Sequence, residues 1–73
     1  MKNKEILINL VNKLKKEYND LNTKINNLDI WLQLYKDDLN KDYIEMMEEQ
    51  KDIMIDYSEL LYQRIKYLIK TYK

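Results

Sequence analysis

Apolar residues recur along the first half of the chain at Leu7, Val11, Leu14, Tyr18, Leu21, Ile25, Leu28, Leu32, Tyr35 and Leu39, separated alternately by four and three positions. A repeat averaging about 3.5 residues marks a helix whose narrow apolar seam lies along a partner helix. The positions between, such as Lys13, Lys16, Asn19, Asn22 and Asn26, are polar, so the spacing predicts one amphipathic helix over about residues 3–36. The pattern breaks where Asp37, Asp38 and Asp42 cluster around Asn40. Asn is a good N-cap, and an acid in the first turn suits the positive end of the helix dipole. A turn is therefore expected at about 37–40 and a second helix over about 41–72, one hairpin domain spanning 1–73. A single unbroken helix is the competing arrangement.

The second helix repeats the alternation at Met47, Gln50, Met54, Tyr57, Leu61, Arg64 and Leu68. One heptad position is apolar throughout; the other holds Gln50, Tyr57 and Arg64, each able to hydrogen-bond. Beside this seam runs a stripe of Met46, Ile53, Leu60 and Tyr67, and Ile55, Tyr62, Ile65, Ile69 and Tyr72 carry apolar surface round the far side. One antiparallel partner covers one face only, so the surplus predicts packing between hairpins. The fold class expected is all-α: two long antiparallel helices with a coiled-coil-like seam, assembling into a helical-bundle homo-oligomer. The size agrees, because a single chain of 73 residues buries little apolar surface by itself.

Composition narrows the chemistry. The chain contains no Cys, His, Gly, Pro or Phe. Thiol nucleophiles, imidazole bases, zinc sites and phosphate-cradling glycine loops are thereby excluded, and no carboxylate loop of the calcium-binding type is present. No cofactor and no enzymatic activity are expected. Apolar runs are no longer than triplets such as Leu60-Leu61-Tyr62, far short of a membrane span, and the N-terminus lacks a signal-peptide core; no membrane partner and a cytoplasmic location follow as expectations.

Charge sums to zero yet is unevenly placed. Residues 1–16 carry a net +4, residues 60–73 another +4, and residues 17–59 a net −8. In a hairpin the two basic segments lie together at the open end. This dipole can serve the helix macrodipoles and head-to-tail association, or it can attract a small polyanion. Duplex nucleic acid is a poorer partner for a neutral chain without a basic stripe.

The Gln50, Tyr57, Arg64 ladder has two readings. It can act as a polar register key, with Arg64 paired to Glu17 on the first helix, or it can line a ligand pocket. A phenol that stacks on a base, an amide for base edges and a guanidinium for phosphate are groups a nucleotide needs. With the cations flanking the seam, the candidate ligand-binding residues are Lys13, Lys16, Lys24, Gln50, Tyr57 and Arg64. Trp31 reads first as a core or interface anchor and second as a stacking platform.

Taken in order, Glu17-Tyr18, Leu21, Lys24-Ile25, Leu28 and Trp31-Leu32, then Leu39-Asn40, Met46-Met47, Gln50, Met54, Tyr57, Leu61 and Arg64-Ile65, resemble a family of short phage proteins related to a crAss-like phage protein, which contains small anti-CBASS sponges. The resemblance covers about residues 14–66. It implies helical hairpins that form homotetramers in the host cytoplasm and sequester cyclic nucleotide immune signals without cleaving them, a CBASS cyclic dinucleotide such as cyclic GMP-AMP first among them. Some relatives in that family capture Thoeris-type signals. The chain departs from the family pattern in its Lys-rich N-terminus, its shorter loop and a Trp where Phe is usual. The competing function is a structural or protein-interaction coiled coil that binds a host protein.

Overall fold

A computed structural model describes residues 2–71 and shows a helical hairpin 56 Å long and 14 by 13 Å across. Helix α1 runs from Lys2 to Tyr35 and helix α2 from Lys41 to Thr71. Tyr72 and Lys73, placed by the sequence reading on the second helix and at the basic end, lie outside the described residues. A single 3-10 turn over Lys36–Asp38 and an extended Leu39 reverse the chain. Asn40 caps α2 as its residue type requires: its side-chain oxygen accepts from the Asp42 N–H at 2.9 Å, and its backbone carbonyl accepts from the Ile44 N–H at 3.1 Å. With a good cap and no glycine, the reversal needs no left-handed residue, and none occurs among the described residues.

The seam of α1 is the one its spacing implies. Leu14, Leu21 and Leu32 are buried, and Leu7, Val11, Tyr18, Ile25 and Leu28 are half-buried; Tyr35, at the helix end, is exposed. Leu14 and Leu21 pack with Leu61 and Ile65 into the core, flanked by Tyr18, Ile25, Met54 and Leu68.

The seam of α2 differs from the sequence expectation in one of its two rows. Met47, Met54, Leu61 and Leu68 do face α1, but their companions are Ile44, Lys51, Ser58 and Ile65, while Gln50, Tyr57 and Arg64 are exposed. The row 47, 54, 61, 68 sits three residues before one candidate row and four before the other, so the 3.5 repeat fits both. What decides is the chain opposite. Ser58 is buried because its hydroxyl donates to the Asn22 side-chain oxygen at 2.8 Å, and Lys51 is half-buried because its ammonium meets Asp29 at 3.0 Å. These two cross-helix pairs, each with residue numbers summing to 80, are the polar register key. The predicted Arg64–Glu17 pair is not formed: Glu17 accepts instead from the Tyr57 hydroxyl, and the one ion pair among the described residues is Lys51–Asp29. Ile65, read from sequence as part of the far side, belongs to the core.

Apolar surface remains uncovered on both helices, Ile6, Ile8, Leu10 and Ile30 of α1 and Tyr43 of α2 included. Met46, Ile53, Leu60 and Tyr67 are between 57 % and 65 % exposed; Ile55, Tyr62 and Ile69 form a second row on the other flank of α2; Trp31 and Leu34 stand on α1. Tyr62 is partly shielded by the Tyr18 ring, centroids 5.9 Å apart, and by the Lys66 ammonium 5.1 Å from its own centroid.

Candidate functional site

Along α1 the residues Lys13, Lys16, Glu17, Asp20 and Lys24 follow one another at intervals of one, three or four, which keeps them on one flank of the helix beside the seam. On α2 the exposed ladder of Gln50, Tyr57 and Arg64 occupies the flank facing the same side, between the core row and the Met46, Ile53, Leu60, Tyr67 stripe. The two flanks meet in a cleft of about 320 Å³ lined by Lys13, Lys16, Glu17, Asp20, Lys24 and Tyr57, with Leu21 at its base. Three ammonium groups, two carboxylates and one phenol thus share a single opening.

Tyr57 is oriented by Glu17, to which its hydroxyl donates. That bond favours the protonated phenol and, with partial burial, raises its pKa above the ordinary tyrosine value of 10.0; the nearby Arg64 charge acts in the opposite direction. At the other end of the hairpin the bond from Lys51 to Asp29 raises the lysine above its ordinary 10.5. Both shifts are upward. The stability these contacts give the fold is therefore fully present below about pH 10 and is lost as pH rises through the raised values. The thermal midpoint should stay level from pH 7 to 9 and fall above pH 10. In Tyr57→Phe, measured by circular dichroism, that alkaline fall should be shallower; an identical pH profile would contradict the contact.

Of the six candidate residues, four (Lys13, Lys16, Lys24 and Tyr57) line this cleft. Arg64 lines a neighbouring, more apolar cleft of about 420 Å³ with Leu10, Gln63, Tyr67 and Leu68. Its charge opposes the raised pKa of Tyr57 only as the smallest of the contributing effects. Gln50 lines neither; its amide lies 4.0 Å from the Met54 sulfur, one heptad from Tyr57 toward the turn. Trp31 also lies outside both clefts and packs on Tyr35, with ring centroids 5.1 Å apart. Sequence reasoning overlooked Asp20 and used Glu17 only as a partner for Arg64. The available signal was the run of charged residues at helical spacing on α1, where any reading that takes Lys13, Lys16 and Lys24 takes Glu17 and Asp20 with them.

The chemistry open to such a cleft is recognition. Ammonium groups bind phosphate, the carboxylates accept from hydroxyl or base N–H donors, and the phenol offers a π-face. Among the described residues no group of three or more His, Cys, Asp or Glu side chains could hold a metal ion, and no helix is long and apolar enough to cross a membrane.

A family model described as Sequestin matches residues 9–67, a span that includes the whole cleft. The name suggests sequestration of a ligand, the role of a binding protein and not of an enzyme. No curated protein and no solved structure matches the chain.

Proposed function

Because the chain belongs to the Sequestin family, we propose that it is a phage anti-defense sponge, binding a cyclic nucleotide immune signal in the host cytoplasm and holding it uncleaved. The leading ligand is a CBASS cyclic dinucleotide such as cyclic GMP-AMP, and the working assembly is a homotetramer. The observation that carries this reading is the convergence of Lys13, Lys16 and Lys24 with Tyr57 around one opening. Lysines meet phosphodiesters, Tyr57 stacks on a base, and Glu17 and Asp20 accept from ribose hydroxyls or from the N–H edge of a guanine.

Function then follows from mass action. A sponge present above the messenger concentration, with nanomolar affinity or about −12 kcal/mol, keeps free messenger below the effector's threshold without any catalytic group. The exposed apolar residues on the flanks of α2 also suit a protein-interaction module, and the same experiment separates the two readings.

Purified protein is incubated with a panel of cyclic dinucleotides, cyclic trinucleotides, cyclic ADP-ribose isomers and other ADP-ribose-type signals, then heat-denatured, and the released nucleotide is identified by mass spectrometry. Intact release of a cyclic dinucleotide is the expected result. Release of an ADP-ribose-type signal alone would move the ligand to Thoeris, an altered product would indicate an enzyme, and no capture from the panel would leave the interaction module.

A further inference from the structure

Phosphate binding alone does not explain the composition of the cleft beside α1. Two of its side chains, Glu17 and Asp20, are carboxylates set among Lys13, Lys16 and Lys24, and each opposes the approach of a phosphodiester. Their tasks differ. Glu17 accepts from the Tyr57 hydroxyl and so holds the ring. Asp20 is exposed and makes no ion pair among the described residues, although Lys16 and Lys24 stand four residues to either side of it on the same flank. Its carboxylate is free to accept from a ligand.

The position of Tyr57 decides which part of a ligand reaches that carboxylate. By the register of the cross-helix pairs, whose residue numbers sum to 80, Tyr57 is level with Thr23. Its hydroxyl nevertheless ends at Glu17, so the phenol lies across the level of Asp20, midway between the two. A base stacked on the ring presents its edge to Asp20, with a lysine about one helical turn away on either side.

The order of hydrogen-bonding groups then selects the base. A carboxylate only accepts and an ammonium only donates. The Watson–Crick edge of guanine offers two neighbouring donors, N1–H and the N2 amine, followed by the O6 acceptor; Asp20 meets the donors and a lysine of the next turn meets O6. Adenine sets one donor beside a bare ring nitrogen, whose lone pair would face the carboxylate. Cytosine does the same, and in uracil a single N–H stands between two carbonyls. An amide side chain would suit adenine, and among the described residues none lines the cleft. A ribose hydroxyl is common to all ribonucleotides and gives no preference among bases.

We propose that Asp20 is the specificity-determining residue of the cleft, accepting from the two N–H donors of a guanine stacked on Tyr57, and that Glu17 is a positioning residue that holds the ring. The assignment rests on the nucleotide reading above and narrows it to ligands that contain guanine. A signal whose only base is adenine, as in ADP-ribose derivatives, leaves Asp20 without its donors.

Titration calorimetry with cyclic di-GMP, cyclic GMP-AMP and cyclic di-AMP tests the assignment on the wild-type protein, Asp20→Asn and Glu17→Ala, once circular dichroism melting has shown that each variant folds. Wild type should bind cyclic di-GMP at least about 10-fold more tightly than cyclic di-AMP, the scale set by one hydrogen bond to a charged group. Asp20→Asn puts an amide in place of the carboxylate, able to accept from the adenine amine and donate to its ring nitrogen. It should weaken cyclic di-GMP by about 10-fold or more and tighten cyclic di-AMP, two changes of opposite sign that neither the loss of one negative charge nor misfolding would give. Glu17→Ala should weaken both by the same factor, because the ring it holds serves either base. Equal wild-type affinity for the two, an equal effect of Asp20→Asn on both, or a change of preference in Glu17→Ala alone would each overturn the assignment while the nucleotide reading stands. No binding of any of the three would overturn that reading and the assignment with it.

Discussion

Leu61→Ala is expected to lower the thermal midpoint by about 10 °C or more. Leu61 is the largest fully buried side chain of the hairpin, at 0 % exposure, and packs against Leu14, Leu21 and Ile65. Truncating a core leucine costs roughly 2 to 5 kcal/mol, the lost transfer energy plus that of the cavity. A chain of 73 residues has a total stability of only about 4 to 11 kcal/mol at 0.05 to 0.15 kcal/mol per residue. For a domain of this size each kcal/mol is worth roughly 4 to 8 °C. The neighbouring Leu60 is exposed on the stripe, so Leu60→Ala should act on assembly and depend on protein concentration, as anything linked to association does. Calorimetric melting of both variants at two concentrations distinguishes them. A Leu61→Ala protein that melts with the wild type would mean that the core is not where the fold places it.

On the ligand side the largest effects are expected from Lys16→Ala and Tyr57→Leu, each weakening capture of the bound nucleotide by about 5- to 150-fold. A hydrogen bond to a charged group is worth about 1.5 to 3 kcal/mol, and stacking of a base on an aromatic ring about 1 to 3 kcal/mol; every 1.4 kcal/mol is tenfold in Kd. Lys16 is exposed and makes no ion pair among the described residues, so its removal should leave the melting temperature unchanged. Tyr57→Phe keeps the ring and removes only the hydroxyl bonded to Glu17, so it should retain most of the affinity that Tyr57→Leu loses. Arg64→Met should weaken capture less than Lys16→Ala, because Arg64 lies in the adjoining cleft. Titration calorimetry at about 50 and 200 mM salt checks the nature of the ligand as well. A small ligand should lose little affinity, while the steep loss typical of proteins with many phosphate contacts would mean a nucleic-acid backbone. Wild-type affinity in Lys16→Ala and Tyr57→Leu together would remove the cleft from consideration.

How far the chain could be read depends on what kind of constraint each residue answers to. The heptad of α1, the Asn40 cap and the absence of Gly and Pro are local, carried by spacing and side-chain type alone, and they suffice for two helices and a tight reversal. The uneven charge and the exposed second stripe on α2 are equally visible, because a helix displays its faces whether or not anything covers them. The pairing row of α2 is different in kind. Rows 44, 51, 58, 65 and 50, 57, 64 lie on either side of the same apolar row, and the one containing Lys51 and Ser58 looks the poorer core until Asp29 and Asn22 are seen opposite. Only the tertiary register supplies those partners, which turn a lysine and a serine into seam residues and release Gln50, Tyr57 and Arg64 to the flank. The same register separates Arg64 from Glu17, gives Glu17 to Tyr57, and gathers Lys13, Lys16 and Lys24 beside that ring. Sequence spacing is a property of one helix, and a cleft between two helices exists only once their relative height and rotation are set by the polar pairs that lock them.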